Sequence, residues 1–229
     1  MSELIKKLRV LFIGKKDDHY SAVAAGYIKQ HIPGTLVVYS SRAEVIPDQV
    51  MHWEGDYLIS YLAQWIIPAD VLKKAKSGGI NLHPGSPEYP GIGCTNFAIY
   101  NGENEFGITC HYMLPKVDTG DIISVKRFPL YKTDSVYSLT QRCYAAILQA
   151  FFELADTIIS GRSPVISAES WKRKPYTRKE LNELCLLTND MDAEEKRKRI
   201  IATTFHEKVW AYTEVNGEKI YAVLNDEKK

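Results

Sequence analysis

Apolar runs and polar breaks recur along this chain at spacings that set its architecture. Residues 8–14 form a nearly continuous apolar run ending in Gly14, the pattern of a central strand buried on both faces of a parallel sheet. A polar stretch follows, then an alanine-rich helix over about residues 20–31, stopped by Pro33 and Gly34. Residues 36–39 and 56–62 predict a second and a third strand, with a helix after Pro68 reaching about Ala75. Residues 80–83, Ile-Asn-Leu-His, predict a fourth strand, residues 93–100 a helix, and residues 107–123 a strand, a turn at Asp118-Thr119-Gly120 and another strand. In residues 135–160 the apolar positions Val136, Leu139, Cys143, Ile147, Phe151, Leu154 and Ile158 recur every three or four residues, so one helical face is buried, and Gly161 sits where a C-terminal cap belongs. Strands alternating with helices imply an α/β class: a Rossmann-like, mostly parallel sheet flanked by helices.

Beyond Gly161 the pattern changes. Residues 171–180 hold five basic residues against one acid, interleaved with Trp171 and Tyr176. Such a stretch is either a solvated face or a surface for a diphosphate and a stacked base. Thr177 with Glu180, and Asp192 with Glu195, have capping-box spacing and predict helices to about Leu187 and Thr203. Asn216-Gly217 then marks a hairpin of residues 210–215 and 219–224. A lone hairpin is marginal in water, so Trp210, Tyr212, Val215, Ile220, Tyr221, Val223 and Leu224 must be covered by the main sheet or by a second subunit. The division expected is a catalytic domain over residues 1–165 and an appendage of a basic segment, two short helices and a β-hairpin over residues 166–229.

Composition narrows the function classes. With 229 residues, 45% hydrophobic and 25% charged, the chain is long enough for one sizeable core. Lys and Arg number 29 against 28 Asp and Glu, so the net charge of +1 exerts no general pull on nucleic acid or an anionic membrane, and any anion must be held locally. Cys94, Cys110, Cys143 and Cys185 show no Cys-x-x-Cys spacing, which suits buried thiols in a reducing, cytoplasmic setting better than metal ligands or disulfides. The start has no apolar signal core, and no stretch approaches the roughly 20 apolar residues that span a bilayer.

The chemistry concentrates at the end of the fourth strand. Alternation puts Asn81 and His83 on one face, while Pro84, Gly85, Pro87, Pro90 and Gly91 stiffen the loop that follows. Alone, this pair reads more readily as a strand end with a capped histidine than as a site. Asp118, held in the turn 35 positions beyond His83, could lie against that strand end and complete a set of an amide, an imidazole and a carboxylate. The strand-to-helix junction at Gly14 lacks Gly-x-Gly-x-x-Gly and Gly-x-x-x-x-Gly-Lys-Ser/Thr, which argues against a dinucleotide or a P-loop nucleotide there.

An Asn-x-His-Pro strand end followed at this distance by Val-Asp-Thr-Gly resembles the 10-formyltetrahydrofolate-dependent formyltransferases, over roughly residues 8–165. The resemblance implies the formyltransferase fold, with Asn81, His83 and Asp118 catalytic and no metal. It implies that 10-formyltetrahydrofolate is the formyl donor, held by Gln64, Trp65, Ile66 and Ile67 after the third strand and by Tyr112, Val117 and Asp121. Residues 14–18, 87–91 and 175–182 look most like the sugar-nucleotide N-formyltransferases. That likeness implies a nucleotide-linked amino sugar as acceptor, in bacterial surface polysaccharide (lipopolysaccharide) synthesis. The acceptor would meet Gly14, Lys15, His19 and Tyr20, then Ser86, Pro87, Glu88 and Tyr89, then Lys172, Arg173, Lys174 and Tyr176. It further implies a homodimer without nucleic acid or membrane partners. Glycinamide ribonucleotide or methionyl-tRNA as acceptor, hydrolysis of the donor, and a folate- or nucleotide-binding module without catalysis are the alternatives.

Overall fold

A computed structural model describes residues 7–42 and 44–223. Its centre is a six-stranded sheet of β1 (Val10–Lys15), β2 (Thr35–Ser40), β3 (Tyr57–Tyr61), β4 (Gly79–His83), β5 (Glu105–Tyr112) and β6 (Ile122–Pro129), in the order β2-β1-β3-β4-β5-β6. The first four strands are parallel, and β5 and β6 run antiparallel. Because β1 connects outward to β2 while β3 lies on its other side, the carboxyl ends of β1, β3 and β4 open onto a crevice, where ligands bind in open α/β sheets. The continuous apolar strands are the buried ones, with residues 10–13 and Leu58 and Ile59 fully buried.

Helices cover both faces. On one side lie α1 (His19–His31), α4 (Cys94–Asn101) and α5 (Val136–Ile159), and on the other the single-turn helices α2 (Asp48–Met51) and α3 (Ala69–Leu72). The seven apolar positions read along residues 135–160 are all buried on α5. Ser135 caps its N-terminus by accepting from the Ser138 amide, and Gly161 (φ 74°) closes the other end. Phe151 fills the middle of this layer, against Phe12 and Tyr61 with ring centroids 5.7 and 5.5 Å away.

Beyond the sheet come α6 (Arg178–Cys185), α7 (Ala193–Ala202), a small pair β7 (Thr204–Phe205) and β8 (Lys208–Val209), and a hairpin of β9 (Tyr212–Val215) and β10 (Glu218–Tyr221). Leu184 of α6 joins the main core, and Tyr176 lies flat on Phe97 with centroids 3.8 Å apart.

Several elements differ from the sequence pattern for identifiable reasons. The helix after Pro68 lasts one turn, because Lys74 and Ala75 bond three residues back and the chain bends to bridge Gly55. The helix from Thr177 ends at Cys185 rather than Leu187, since Leu186 turns extended and the Leu187 amide bonds the Tyr212 carbonyl. The second capping box is half made: Asp192 accepts from the Glu195 amide, but the Glu195 carboxylate faces Tyr100 and Arg199. The hairpin turn is as read, with φ 52° at Asn216 and 83° at Gly217, though its paired strands are shorter, and Leu224 lies outside the described residues. Among the described residues, no helix is long and apolar enough to cross a membrane.

Emptying the aromatic centre should be expensive. Phe151→Ala, at a fully buried ring, should lower unfolding free energy by about 3–5 kcal/mol in a urea titration while the far-ultraviolet spectrum of the folded protein stays unchanged.

Candidate active site

The strand register decides which polar groups meet. In the β4–β5 ladder Asn81 sits opposite His111 and His83 opposite Thr109, so all four side chains belong to one face at the carboxyl end of β4. A register shift between Cys110 and His111 marks a bulge in the β5–β6 ladder at this point. The turn after β5 then carries Asp118 back over that face. Asp118 adopts φ 46°, a left-handed conformation that Asp tolerates better than most residues.

Asp118 is the hub. One carboxylate oxygen, Oδ2, lies 3.3 Å from His83 Nδ1 and accepts from the Gly91 amide at 2.7 Å, while Oδ1 lies 3.2 Å from His111 Nε2. All three residues are at least 95% buried. Burial by itself would raise the Asp118 pKa, but the positive charge of His83, the hydrogen bond and charge of His111 and the Gly91 amide together outweigh it and hold the group down at about 2. Asp118 is therefore ionised throughout the neutral range.

Each histidine is engaged at both nitrogens. His83 Nε2 lies 3.0 Å from the Tyr89 carbonyl, so only a ring carrying two protons donates to Tyr89 and Asp118 together. His111 Nδ1 faces the Tyr112 carbonyl at 2.8 Å, and its Nε2 has two neighbours at 3.2 Å, Asp118 Oδ1 and Asn81 Nδ2. That nitrogen can accept from the amide or donate to the carboxylate, one at a time. Gly85 is obligatory beneath this cluster, since a Cβ there would lie 2.5 Å from His83 Nε2 and 2.7 Å from the Tyr89 carbonyl.

The cluster forms one wall of a cavity of about 630 Å³ at the carboxyl ends of β1, β3 and β4. Apolar side chains dominate another wall, among them Leu62, Ile67, Met113 and Leu114, and Ile66, Leu114 and Val117 are largely exposed at the mouth. Lys15, Arg42 and Arg178 also line the cavity, and none of them forms an ion pair with a carboxylate among the described residues. The arrangement suits a flat apolar group extended by an anionic one.

Against this geometry, a family model described as "Formyl transferase" matches residues 14–154, more than half of the sequence. The chain belongs to the formyl transferase family. Among curated formyltransferases, the GDP-perosamine N-formyltransferase of Brucella melitensis biotype 1 is 36% identical over 109 residues, covering 47% of this chain and 41% of that protein. The methionyl-tRNA formyltransferase of Listeria welshimeri serovar 6b is 26% identical over 126 residues, covering 55% and 40%. The match thus spans less than half the length of either relative. In fold, the chain is similar to a sugar N-formyltransferase from Shewanella sp FDAARGOS_354, with TM-score 0.75 at 20% identity over 97% of this chain and 99% of that one. It is also similar to the N-formyltransferase from Helicobacter canadensis in complex with folinic acid and dTDP-3-aminofucose, with TM-score 0.69 at 18% identity over 96% and 89%.

Within this family fold, the residues anticipated from sequence fall into three groups. Asn81, His83 and Asp118 come together on the cavity wall, and Lys15, Gln64, Trp65, Ile66, Ile67, Val117 and Tyr176 line the same cavity. The loop carrying Trp65 is pinned: the indole Nε1 donates to the Ser41 and Glu44 carbonyls, and the Gln64 amide donates to Ser40 Oγ. A second group lies outside that cavity. Gly14 is buried in β1, Tyr20 packs edge-on against Tyr144, and His19 lines a separate recess of about 550 Å³ with Lys16, Asp17 and Glu44. Tyr112 donates to the Pro164 carbonyl, and Asp121 is exposed with its carbonyl bonded to the Tyr112 amide.

The third group holds the framework together behind the cavity wall. Ser86 is buried, the Pro87 carbonyl accepts from the Lys172 amide, Glu88 pairs with Arg127, and the Tyr89 hydroxyl bonds Glu103. Arg173 is occupied, stacked 3.2 Å above the Tyr176 ring centroid and paired with Glu180, while Lys172 and Lys174 point to solvent. The cation that the basic segment does bring to the cavity is Arg178. Sequence reasoning passed over His111 and Arg42. His111 is signalled by alternation, two residues beyond Thr109 on a strand facing Asn81, whereas nothing in its local sequence marks Arg42.

The low Asp118 pKa has a stability consequence with a definite sign. A carboxylate whose pKa falls from 3.8 unfolded to about 2 folded stabilises the protein above pH 4 and loses that contribution as pH falls toward 2. Asp118→Asn should therefore cost about 2 kcal/mol at pH 7, and the gap between variant and wild type in urea unfolding should narrow steadily below pH 4. A gap that stays constant down to pH 2.5 would contradict the ionised, donor-surrounded carboxylate.

Proposed function

We propose that this chain is an N-formyltransferase that moves a formyl group from 10-formyltetrahydrofolate to the amino group of a nucleotide-linked deoxyamino sugar. The observation that carries the reading is a buried, ionised Asp118 with two histidines and the Asn81 amide, on the wall of a cavity bounded by apolar side chains and by cations that have no carboxylate partner among the described residues. The donor fits these residues. The apolar wall with Trp65, Ile66, Ile67 and Leu114 suits a pterin and its aryl group, and Lys15, Arg42 and Arg178 suit the anionic ends of a folate and a sugar diphosphate. The relative that acts on GDP-perosamine supports the acceptor class. The small net charge gives no support to a tRNA acceptor, which calls for a broad basic surface.

Bound there, 10-formyltetrahydrofolate supplies an electrophilic formyl carbon for attack by the sugar amine. Asn81 offers its amide N–H to the formyl oxygen as negative charge develops on it. His83 assists as a donor rather than as the first base, since both of its nitrogens are directed at acceptors, the Tyr89 carbonyl and Asp118. Asp118 keeps His83 oriented, and through His111 Nε2 it offers a route for the proton that the amine must lose.

Asn81→Ala should lower turnover about a hundredfold, the typical loss for one oxyanion donor. His83→Ala and Asp118→Ala should fall at least as far, and the triple variant scarcely further, because groups acting as a unit do not add. Tetrahydrofolate release and product mass, followed with a panel of nucleotide-linked amino sugars, provide the readout. Near-normal turnover in His83→Ala would remove the mechanism. Donor consumption without any amine would reveal a hydrolase, and donor binding without turnover a binding module.

We further propose that the chain works as a homodimer through its terminal hairpin. The inner side packs on the same chain, with Ala211 fully buried and the Leu187 amide bonded to the Tyr212 carbonyl. Trp210, Val215, Ile220 and Tyr221 remain about half exposed, Val215 and Ile220 on one face of the hairpin and Tyr221, opposite Tyr212, on the other. Twofold pairing is the commonest way such a patch is covered. Light scattering should give twice the chain mass at micromolar concentration, and Trp210→Glu with Ile220→Glu should give a folded monomer. A wild-type monomer would end this assignment.

A further inference from the structure

Residues 167–176 run as a strap across the back of the cluster that contains Asp118. Their backbone is bonded to both loops that shape it. The Ser167 amide donates to the Ile122 carbonyl beyond the Asp118 turn, and the Lys172 and Tyr176 amides donate to the Pro87 and Pro90 carbonyls in the loop after β4. In return the Ile92 amide donates to the Tyr176 carbonyl. The contact is close enough that Gly91, at φ 89°, has no room for a Cβ, which would lie 2.4 Å from the Tyr176 carbonyl oxygen. Gly91 is the same residue whose amide donates to Asp118. The strap is thus one residue removed from the hub along the chain.

Its central side chain reaches further. The Trp171 indole stands nearly perpendicular to His111, with centroids 5.0 Å apart at 84°, and to His83, at 6.0 Å and 71°. Its Nε1 donates to the Gly120 carbonyl, two residues past Asp118, at 2.8 Å. One ring therefore touches both imidazoles and is fixed to the turn that carries the carboxylate. Tyr176, Pro175 and Arg178 of the same segment line the cavity on the other side.

We propose that Trp171 is a positioning residue for formyl transfer: it seals the His83–Asp118–His111 cluster against water from behind and holds both rings in register with Asn81. The physical basis is dielectric and steric. The charged hydrogen bonds of a buried carboxylate weaken several-fold once water enters, and an imidazole without a neighbour on its flank gains rotational freedom that a catalytic geometry does not tolerate. The strap makes the tail a working part of the site, so a boundary at residue 165 divides the chemistry as well as the chain. This inference rests on the formyl-transfer reading, but its first test does not.

That test is chemical labelling of histidine by diethyl pyrocarbonate in the full-length protein, read residue by residue by mass spectrometry. His83 and His111 should label slowly in the wild type and in Trp171→Phe, and at least about tenfold faster in Trp171→Ala, with exposed His19 and His52 as unchanged internal references. In the transfer assay Trp171→Ala should lose about tenfold or more in kcat with KM for both substrates within about twofold, and Trp171→Phe should recover most of the loss. Trp171→Leu, which keeps the apolar contact without a ring, should fall between them and stands in if the alanine variant does not fold. Unchanged labelling of both histidines in the alanine or leucine variant would overturn the seal. A kcat equal to wild type in those variants, or a loss confined to KM, would overturn the positioning role. If the wild type transfers no formyl group, the labelling result still decides whether Trp171 seals the cluster.

Discussion

A single buried carboxylate organises this protein's chemistry. Asp118 would raise its own pKa if it were merely buried, and the fold prevents this by bringing three donors to it from separate parts of the chain: His83 at the end of β4, His111 on β5 and the Gly91 amide in the loop between β4 and α4. Each bond fixes an element as well as a charge. The left-handed backbone at Asp118, the absence of a side chain at Gly85 and Gly91, and the bulge in the β5–β6 ladder next to His111 all serve that convergence. An unpaired charge at this depth would be strongly destabilising, so the interactions that ready the site for chemistry also hold the loops in place.

The sheet supplies the platform. Parallel β1, β3 and β4 direct their carboxyl ends to one edge, and antiparallel β5 returns His111 to the same edge instead of passing it to the far side of the sheet. Behind this edge the aromatic layer of Phe12, Tyr61 and Phe151 makes the platform stiff. In front, exposed Ile66, Leu114 and Val117 border the cavity with Lys15, Arg42 and Arg178. Apolar and cationic groups side by side describe a ligand with one flat and one anionic part.

The segment beyond the sheet is joined to it by the same kinds of contact that hold the core. Tyr176 stacked on Phe97, Leu184 in the main cluster and backbone bonds to Pro87 and Pro90 make α6 part of the structure around the cavity. The stacked and paired Arg173 shows that the basic character of residues 171–180 is partly spent within the fold, on Tyr176 and Glu180, and only Arg178 is left facing the cavity.

The sequence by itself determined the α/β class, the strand order of appearance, the buried face of α5, the Asn216-Gly217 turn and the shared face of Asn81 and His83, while the place of Asp118 beside them was implied by the family resemblance. Each feature so determined depends on a local rule: burial on two faces, a period of three to four, a required positive φ, or alternation along a strand beside a stiff proline loop. Tertiary structure alone decided what depends on pairing between distant segments. His111 joins the cluster because the β4–β5 register sets it opposite Asn81. Arg42 reaches the cavity because the loop after β2 is drawn over it, its amide bonded to Gln64. Lys172 and Arg173 are turned away because Tyr176 and Glu180 hold their segment, and Trp171 arrives beside two histidines because backbone bonds lay the strap across both loops. No local periodicity encodes such contacts. They follow from which surfaces remain to be buried once the sheet has formed.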